Sequence, residues 1–246
     1  MQKELYRSKD EYGELVVTEQ GEKRILNFAS SLQQSAIYTQ KPHHLVHEYT
    51  QIMLLGLVFN EAKNITVLGL GGGGLVLCLN YYFPKVTLQA VDFRQGVIDI
   101  AYRWFHLPEK KNITVHCNDA ADYIEQADAD SVDIIFSDLY EAQGMSEVQL
   151  QGEFISNAYK SLSENGCMVI NFHSRPDEGS SVIKQIREQF ADIYMCDVFK
   201  GNWIVFCLKS MLSIDNSELK SRAVNLGKKI DVPMKYYFKQ LRKISS

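Results

Sequence analysis

The residues best suited to chemistry in this chain are three aspartates, each following an apolar run, and one block of glycines. Asp92 follows Val86 to Val91, Asp119 follows Ile113 to Asn118, and Asp138 follows Val132 to Ser137. Gly69-Leu-Gly-Gly-Gly-Gly74 follows the β-branched run Ile65-Thr-Val-Leu68 and precedes a helical pattern from Leu75 to Tyr82. A glycine turn lets a ligand approach the backbone, and a helix that starts there turns its free N–H groups toward that ligand. A carboxylate at the tip of the next strand accepts hydrogen bonds from ribose hydroxyls. Gly69, Gly71 and Gly74 satisfy the GxGxxG spacing, Gly73 lies in the same loop, and Asp92 stands at the matching distance. The unit is therefore read as binding a nucleoside-containing molecule. Ligands of open α/β sheets bind beyond the carboxyl ends of the strands, so Asp92, Asp119 and Asp138 are expected to line one crevice. Asp119 has a second reading as a helix N-cap, because Ala-Ala-Asp-Tyr-Ile follows it.

Other chemistry is poorly represented. His43, His44 and His47 form an HHxxH pattern, with 43 and 47 one turn apart on an expected helix, but no further ligand accompanies them and no metal is expected. The five cysteines show no CxxC spacing, and four fall in expected strands or helices as reduced, buried thiols. There is no GxSxG elbow, no Walker lysine and no Cys-His signature. His173, just past the fifth expected parallel strand, reads as an exposed loop histidine.

The chain has 246 residues and a net charge of -4, which argues against nucleic acid or a membrane surface as partner. The first ten residues are too polar for a signal peptide, and the longest apolar stretch, Ile52 to Phe59, is too short to span a bilayer. A soluble, cytoplasmic protein is expected.

The elements that must position these residues follow from periodicity. Residues 1–40 carry short β-type runs at Glu14 to Thr18, Lys23 to Phe28 and Leu32 to Ile37, a small hairpin element too short to bury its own core. Pro42 opens an expected helix through Phe59. From Asn64 strands ending near Leu70, Val91, Cys117, Ser137 and Phe172 alternate with helices near 75–82, 94–106, 119–127, 147–163 and 178–190. That alternation implies an α/β fold with a doubly wound, mostly parallel sheet. Ile193 to Val198 and Trp203 to Leu208 are joined by so few residues that they must pair antiparallel. A closing antiparallel hairpin is a feature of the class I methyltransferase fold, with seven strands in the order 3-2-1-4-5-7-6. It moves the expected ligand from a nicotinamide dinucleotide to an S-adenosyl compound. Residues 41–246 form that domain, and the tail from Ser217 is helical and basic, read as a solvated face.

Together these residues resemble the polyamine aminopropyltransferases, the spermidine synthase family, from the N-terminal strands to about Lys209. The resemblance rests on Tyr49 before the glycine strand, Gly71-Gly-Gly-Gly74, Asp92, Asn118-Asp119 and Asp138-Leu-Tyr-Glu141. Val132-Asp-Ile-Ile-Phe-Ser-Asp, Gly166-Cys-Met-Val-Ile-Asn-Phe and Gly201-Asn-Trp-Ile-Val-Phe are similar to the family's later strands. The resemblance implies that Asp92 holds the ribose, that Asn118-Asp119 meets the adenine, and that Gln34, or Gln33 in the alternative register, lies near the nucleoside. It implies that Asp138 takes a proton from the attacking amine, with Tyr49, Tyr140 and Glu141 binding a small cationic amine. The donor is then decarboxylated S-adenosylmethionine, with S-adenosylmethionine as the alternative, and no metal takes part. The departures lie on the amine side. The acidic residue of the family's glycine loop is replaced by glycine, its Asp-Glu pair by Leu45-Val46, and its Tyr-Pro by Val198-Phe199. Three functions remain open at this point: aminopropyl transfer, methylation of a small molecule by S-adenosylmethionine, and non-catalytic binding of a nucleoside or polyamine. The open edge of the N-terminal β element leads to the expectation of a homodimer.

Overall fold

In the computed structural model, residues 2–28, 33–141, 144–198 and 201–244 are described. The chain starts as an antiparallel meander of β1 (Gln2–Asp10), β2 (Gly13–Gln20), β3 (Lys23–Phe28) and β4 (Gln33–Tyr38), paired in chain order. Leu15, Val17, Leu26, Phe28 and Ile37 face one way along alternating positions and pack on Leu77, Val97, Ile100 and Phe105. The element therefore borrows its core from the rest of the molecule. It has one strand more than expected. β1 carries Lys3, Glu4, Arg7, Lys9 and Asp10, too polar for an apolar-run reading, and polar pairing compensates: Arg7 bridges both Glu4 and Glu14.

The single helix expected from Pro42 to Phe59 is instead an irregular segment followed by two short helices, α1 (Glu48–Met53) and α2 (Gly56–Phe59). Leu45 makes an isolated antiparallel bridge with Ile37, and His47 is extended at φ -90°, ψ 134°. Pairing with the meander thus overrides the helical pattern before Glu48. His43 and His47 are consequently not one helical turn apart.

The second sheet starts at β5 (Asn64–Leu68), followed by α3 (Gly74–Tyr82), β6 (Thr87–Asp92), α4 (Gln95–Trp104), β7 (Ile113–Cys117), α5 (Ala120–Glu125) and β8 (Val132–Ser137). A two-stranded ladder of β9 (Tyr140–Glu141) and β10 (Gly144–Met145) follows, where a plain loop was expected. The expected helix 147–163 divides into a 3-10 turn, Glu147–Leu150, and α6 (Gly152–Ser161). Then come β11 (Leu162–Phe172), α7 (Ser181–Gln189), β12 (Asp192–Asp197), β13 (Trp203–Leu208), α8 (Asn216–Ile230), α9 (Met234–Phe238) and β14 (Arg242–Ile244).

The sheet has eight strands, in the order β14-β12-β13-β11-β8-β5-β6-β7. Neighbours among β11, β8, β5, β6 and β7 are parallel, and β13 is antiparallel to both β11 and β12. The sheet is one strand wider than the seven expected. β14, from the tail, pairs antiparallel with β12 and covers the hairpin's outer edge, aided by an ion pair of Lys243 with Asp192. Such cover prevents edge-to-edge association.

Alternation along the strands feeds two cores. Val67, Phe136, Val169 and Phe206 face α1, α2, α3 and α8, whereas Leu68, Ile135, Ile170 and Val205 face α5, α6 and α7. Burying both faces requires strands rich in apolar residues, which the central strands supply. Among the described residues no helix is long and apolar enough to cross a membrane.

Candidate active site

A cavity of about 530 Å³ opens beyond the carboxyl ends of β5, β6, β8 and β11, walled on one side by the N-terminal meander. This volume suits a nucleoside-sized ligand together with a small second molecule. Gly69, Gly71, Asp92, Asn118, Asp119, Asp138, Tyr49 and Tyr140 all line it. Gly73 stands behind the lining as the left-handed N-cap of α3, at φ 76°. The side chains of Gln34 and Glu141 lie outside the described residues.

Backbone bonds between adjacent strand ends set the floor. Gly69 N–H donates to Val91 O, Asp138 N–H to Leu68 O, and Asn118 N–H to Asp92 O. Gly69 has φ +89°, and a Cβ there would stand 2.2 Å from Asp138 O. Only glycine allows the loop to pass this close to the fourth strand's tip.

Asp92 serves the glycine loop directly. Its Oδ2 accepts from Leu70 N–H (3.1 Å) and Gly71 N–H (3.3 Å), and its Oδ1 accepts from Arg94 N–H (3.0 Å). Burial raises its pKa, and these three amides oppose the rise. Gly72 N–H donates to Ser35 Oγ, so the meander also holds the loop. Asp119 is the N-cap of α5, its Oδ1 accepting from Ala121 and Asp122 N–H. The second carboxylate oxygen makes none of these bonds, so capping and ligand contact are compatible.

Asp138 is held by two side chains, one on each carboxylate oxygen. Tyr49 O–H donates to Oδ2 at 3.2 Å, and Asn171 Nδ2 donates to Oδ1 at 2.8 Å. Asn202 Nδ2 donates in turn to Asn171 Oδ1 at 2.9 Å and to Tyr140 O–H at 3.3 Å. Behind it, buried Gln149 accepts from Ser137 O–H and donates to Leu139 O, which fixes the loop leaving β8. Burial pushes the Asp138 carboxyl up to about 6, with Asn171 and Tyr49 pulling the other way. A carboxylate poised near neutral pH is suited to proton transfer. Burial, followed by the charge of Asp138, raises the phenols of Tyr49 and Tyr140, so both stay neutral, Tyr49 donating to Asp138 and Tyr140 accepting from Asn202.

Asn171, Asn202 and Ser35 were not singled out from the sequence, and His47 was weighed there only as a metal ligand. Asn171 sits inside an apolar strand, and an asparagine beside the last β11 residue was the signal available. His47 lines the cavity and stacks on Tyr49 with centroids 5.5 Å apart. Its Nε2 is buried and without a hydrogen-bond partner among the described residues, and burial lowers its pKa to about 4. His43 points elsewhere and stacks on Tyr81. His173 is exposed yet reaches the cavity mouth beside Tyr140. No group of three or more His, Cys, Asp or Glu suited to a metal occurs among the described residues.

Residues 43–215 match the family model for the spermine/spermidine synthase domain. The chain belongs to this family. It is 28% identical over 233 residues to the polyamine aminopropyltransferase of Neisseria meningitidis serogroup A, spanning 91% of this chain and 87% of that protein. It is 30% identical over 191 residues to the eEF1A lysine and N-terminal methyltransferase of Xenopus laevis, spanning 72% of this chain but 27% of that longer protein. The fold is that of the crystal structure of a probable spermidine synthase from Corynebacterium glutamicum, at TM-score 0.79 and 17% identity over 97% of this chain and 89% of that one.

Proposed function

We propose that this protein is a spermidine synthase-like aminopropyltransferase, moving the aminopropyl group of decarboxylated S-adenosylmethionine to a small polyamine. The observation that carries the reading is Asp138, a half-buried carboxylate with a pKa raised to about 6, set beside the glycine loop at the end of the fourth parallel strand. Asp92 receives the ribose, Asn118 and Asp119 the adenine edge, and Gly69, Gly71 and Gly73 shape the loop that admits the sulfonium side chain. The side chain of Gln34 is assigned to the nucleoside and that of Glu141 to the amine, both from the family resemblance.

The chemistry asks little of the protein. The attacking amine displaces the thioether from the carbon beside the sulfonium, forming a C–N bond as the C–S bond breaks. Methylthioadenosine leaves, and the nitrogen loses one proton. An amine with a lysine-like pKa is almost wholly protonated at neutral pH, so a proton acceptor is required. Asp138 is that acceptor, and orientation supplies most of the remaining acceleration. Tyr49 and Tyr140 orient the amine, and neutral His47 offers an open acceptor for an ammonium N–H.

The charges of the cavity favour the decarboxylated donor. Asp92, Asp119 and Asp138 are its acids, and its one guanidinium among the described residues, Arg94, is engaged by Asp10. A donor carrying its own carboxylate meets like charge there without a free cation to offset it. Similarity to the Xenopus methyltransferase favours methyl transfer from intact S-adenosylmethionine as the second reading. Calorimetry separates the donors: decarboxylated S-adenosylmethionine binds more tightly than the intact molecule, and equal or reversed affinities would favour methyl transfer. A homodimer on the free edge of β1 belongs to the same proposal, and sedimentation at micromolar concentration tests it.

A further inference from the structure

The tip of the first hairpin is bolted to the nucleoside end of the cavity by an ion pair between a buried arginine and a half-buried aspartate. Arg94, two residues past the ribose acid, is 3% exposed. Its Nε and Nη2 donate to the two oxygens of Asp10 at 3.0 and 2.7 Å, and Nη2 also donates to Gly13 O at 3.1 Å. The guanidinium lies over the Phe28 ring at 4.7 Å. Burying an arginine is costly unless its donors are matched, and a bidentate carboxylate with a carbonyl matches them.

What this pair holds is Tyr12. The same Asp10 Oδ1 that receives Arg94 also accepts the Tyr12 backbone N–H at 2.9 Å. At the other end, the Arg94 backbone N–H donates to Asp92 Oδ1. A continuous relay therefore runs from Asp92 through Arg94 and Asp10 to Tyr12. The Tyr12 ring is half exposed, meets Phe93 edge-on at 4.7 Å, and lines the cavity together with Phe28 and Phe93. An aromatic at a hairpin tip, left in water on one side yet fixed from below by the pair of Asp10 with buried Arg94, is suited to covering a flat ligand.

We propose that Tyr12 is a donor-binding residue, its ring covering the nucleoside against the glycine-loop wall, with Asp10 and Arg94 as the residues that position it. The inference rests on reading the cavity as a nucleoside site and is independent of which group the donor transfers.

The test uses the full chain and methylthioadenosine as the calorimetric probe. Tyr12→Ala weakens binding about threefold to tenfold, the range for one lost aromatic contact, and Tyr12→Phe recovers most of the loss because it keeps the ring. Asp10→Asn, which keeps the shape but not the charge, weakens binding in the same direction and also lowers the melting temperature, because the buried Arg94 guanidinium loses its charged partner. In turnover assays the loss falls on KM for the donor and not on KM for the amine, a split that general loosening of the fold does not produce. Wild-type affinity in Tyr12→Ala, or an equal rise in both KM values, overturns the proposal. A wild-type protein that binds no adenosyl thioether overturns the nucleoside reading itself, and the proposal with it.

Discussion

Tyr49 and Asp138, 89 residues apart in the chain, meet through a 3.2 Å hydrogen bond from the phenol to a carboxylate that also receives Asn171. Both donors oppose the effect of burial, and the net result is a carboxyl pKa raised to about 6. The balance leaves Asp138 ionised at neutral pH and still able to take a proton. Asp138→Asn therefore slows transfer by about 10²–10⁴, the usual contribution of a positioned general base. A rate within threefold of wild type would exclude Asp138 as the acceptor.

The pH profile carries the same logic. Transfer falls as pH drops through about 6, because the base becomes protonated. Tyr49→Phe removes one donor to the carboxylate and shifts this acid limb to higher pH. An acid limb that stays in place would show that the phenol does not tune Asp138.

Stability moves in the opposite direction. The folded pKa of Asp138 lies above the unfolded value of about 3.9, so its favourable contribution is complete below pH 4 and is lost as pH rises through about 6. A rise to about 6 corresponds to about 3 kcal/mol at full burial, and to less at a site open to a cavity. Asp138→Asn consequently melts higher than wild type at pH 7 to 8, with a gain that shrinks toward pH 4. Thermal melts across that range check the sign, and an equal difference at all pH values would contradict it.

Asp92 holds its own loop as well as facing the ligand, so its removal has two readouts. Asp92→Ala weakens methylthioadenosine binding by about 1.5–3 kcal/mol, as expected for lost hydrogen bonds to a charged group. It also speeds hydrogen exchange at the Leu70 and Gly71 amides, which now donate to the carboxylate. Unchanged protection of those two amides would show that the loop is set without Asp92.

Gly69 tests the contact between the glycine loop and the fourth strand. A Cβ would stand 2.2 Å from Asp138 O at a backbone φ of +89°. Left-handed strain and overpacking together cost about 2–5 kcal/mol in Gly69→Ala. Gly21→Ala, also at positive φ but with nothing within 4 Å of the added carbon, costs the strain alone, about 1–2 kcal/mol. Urea midpoints compare the two, and equal losses would mean that the Asp138 backbone yields freely.

The parallel strands, the closing hairpin and the three crevice aspartates were legible because each has a local signature: β-branched runs, a short connection, and an acid at a strand end. β1 was not, since its pairing rests on Arg7 and Glu14 across strands rather than on apolar alternation. The segment before Glu48 misled because Leu45 answers to Ile37 on a distant strand, which helical periodicity does not encode. Asn171 and Asn202 were invisible for a similar reason. Their roles arise where β11 lies between β8 and β13, and nothing in β11 alone predicts the carboxylate at the end of β8. Asp119 satisfied both of its sequence readings at once.

The central claim is that Asp138 accepts a proton while an aminopropyl group moves within this cavity. Its most direct test is to incubate the protein with putrescine or spermidine and either decarboxylated or intact S-adenosylmethionine, and to identify the products by mass spectrometry. Amine extended by an aminopropyl group, formed with the decarboxylated donor alone and lost in Asp138→Asn, is the predicted result. Methylated product formed only with the intact donor, or no product from either donor when both are bound, would contradict it.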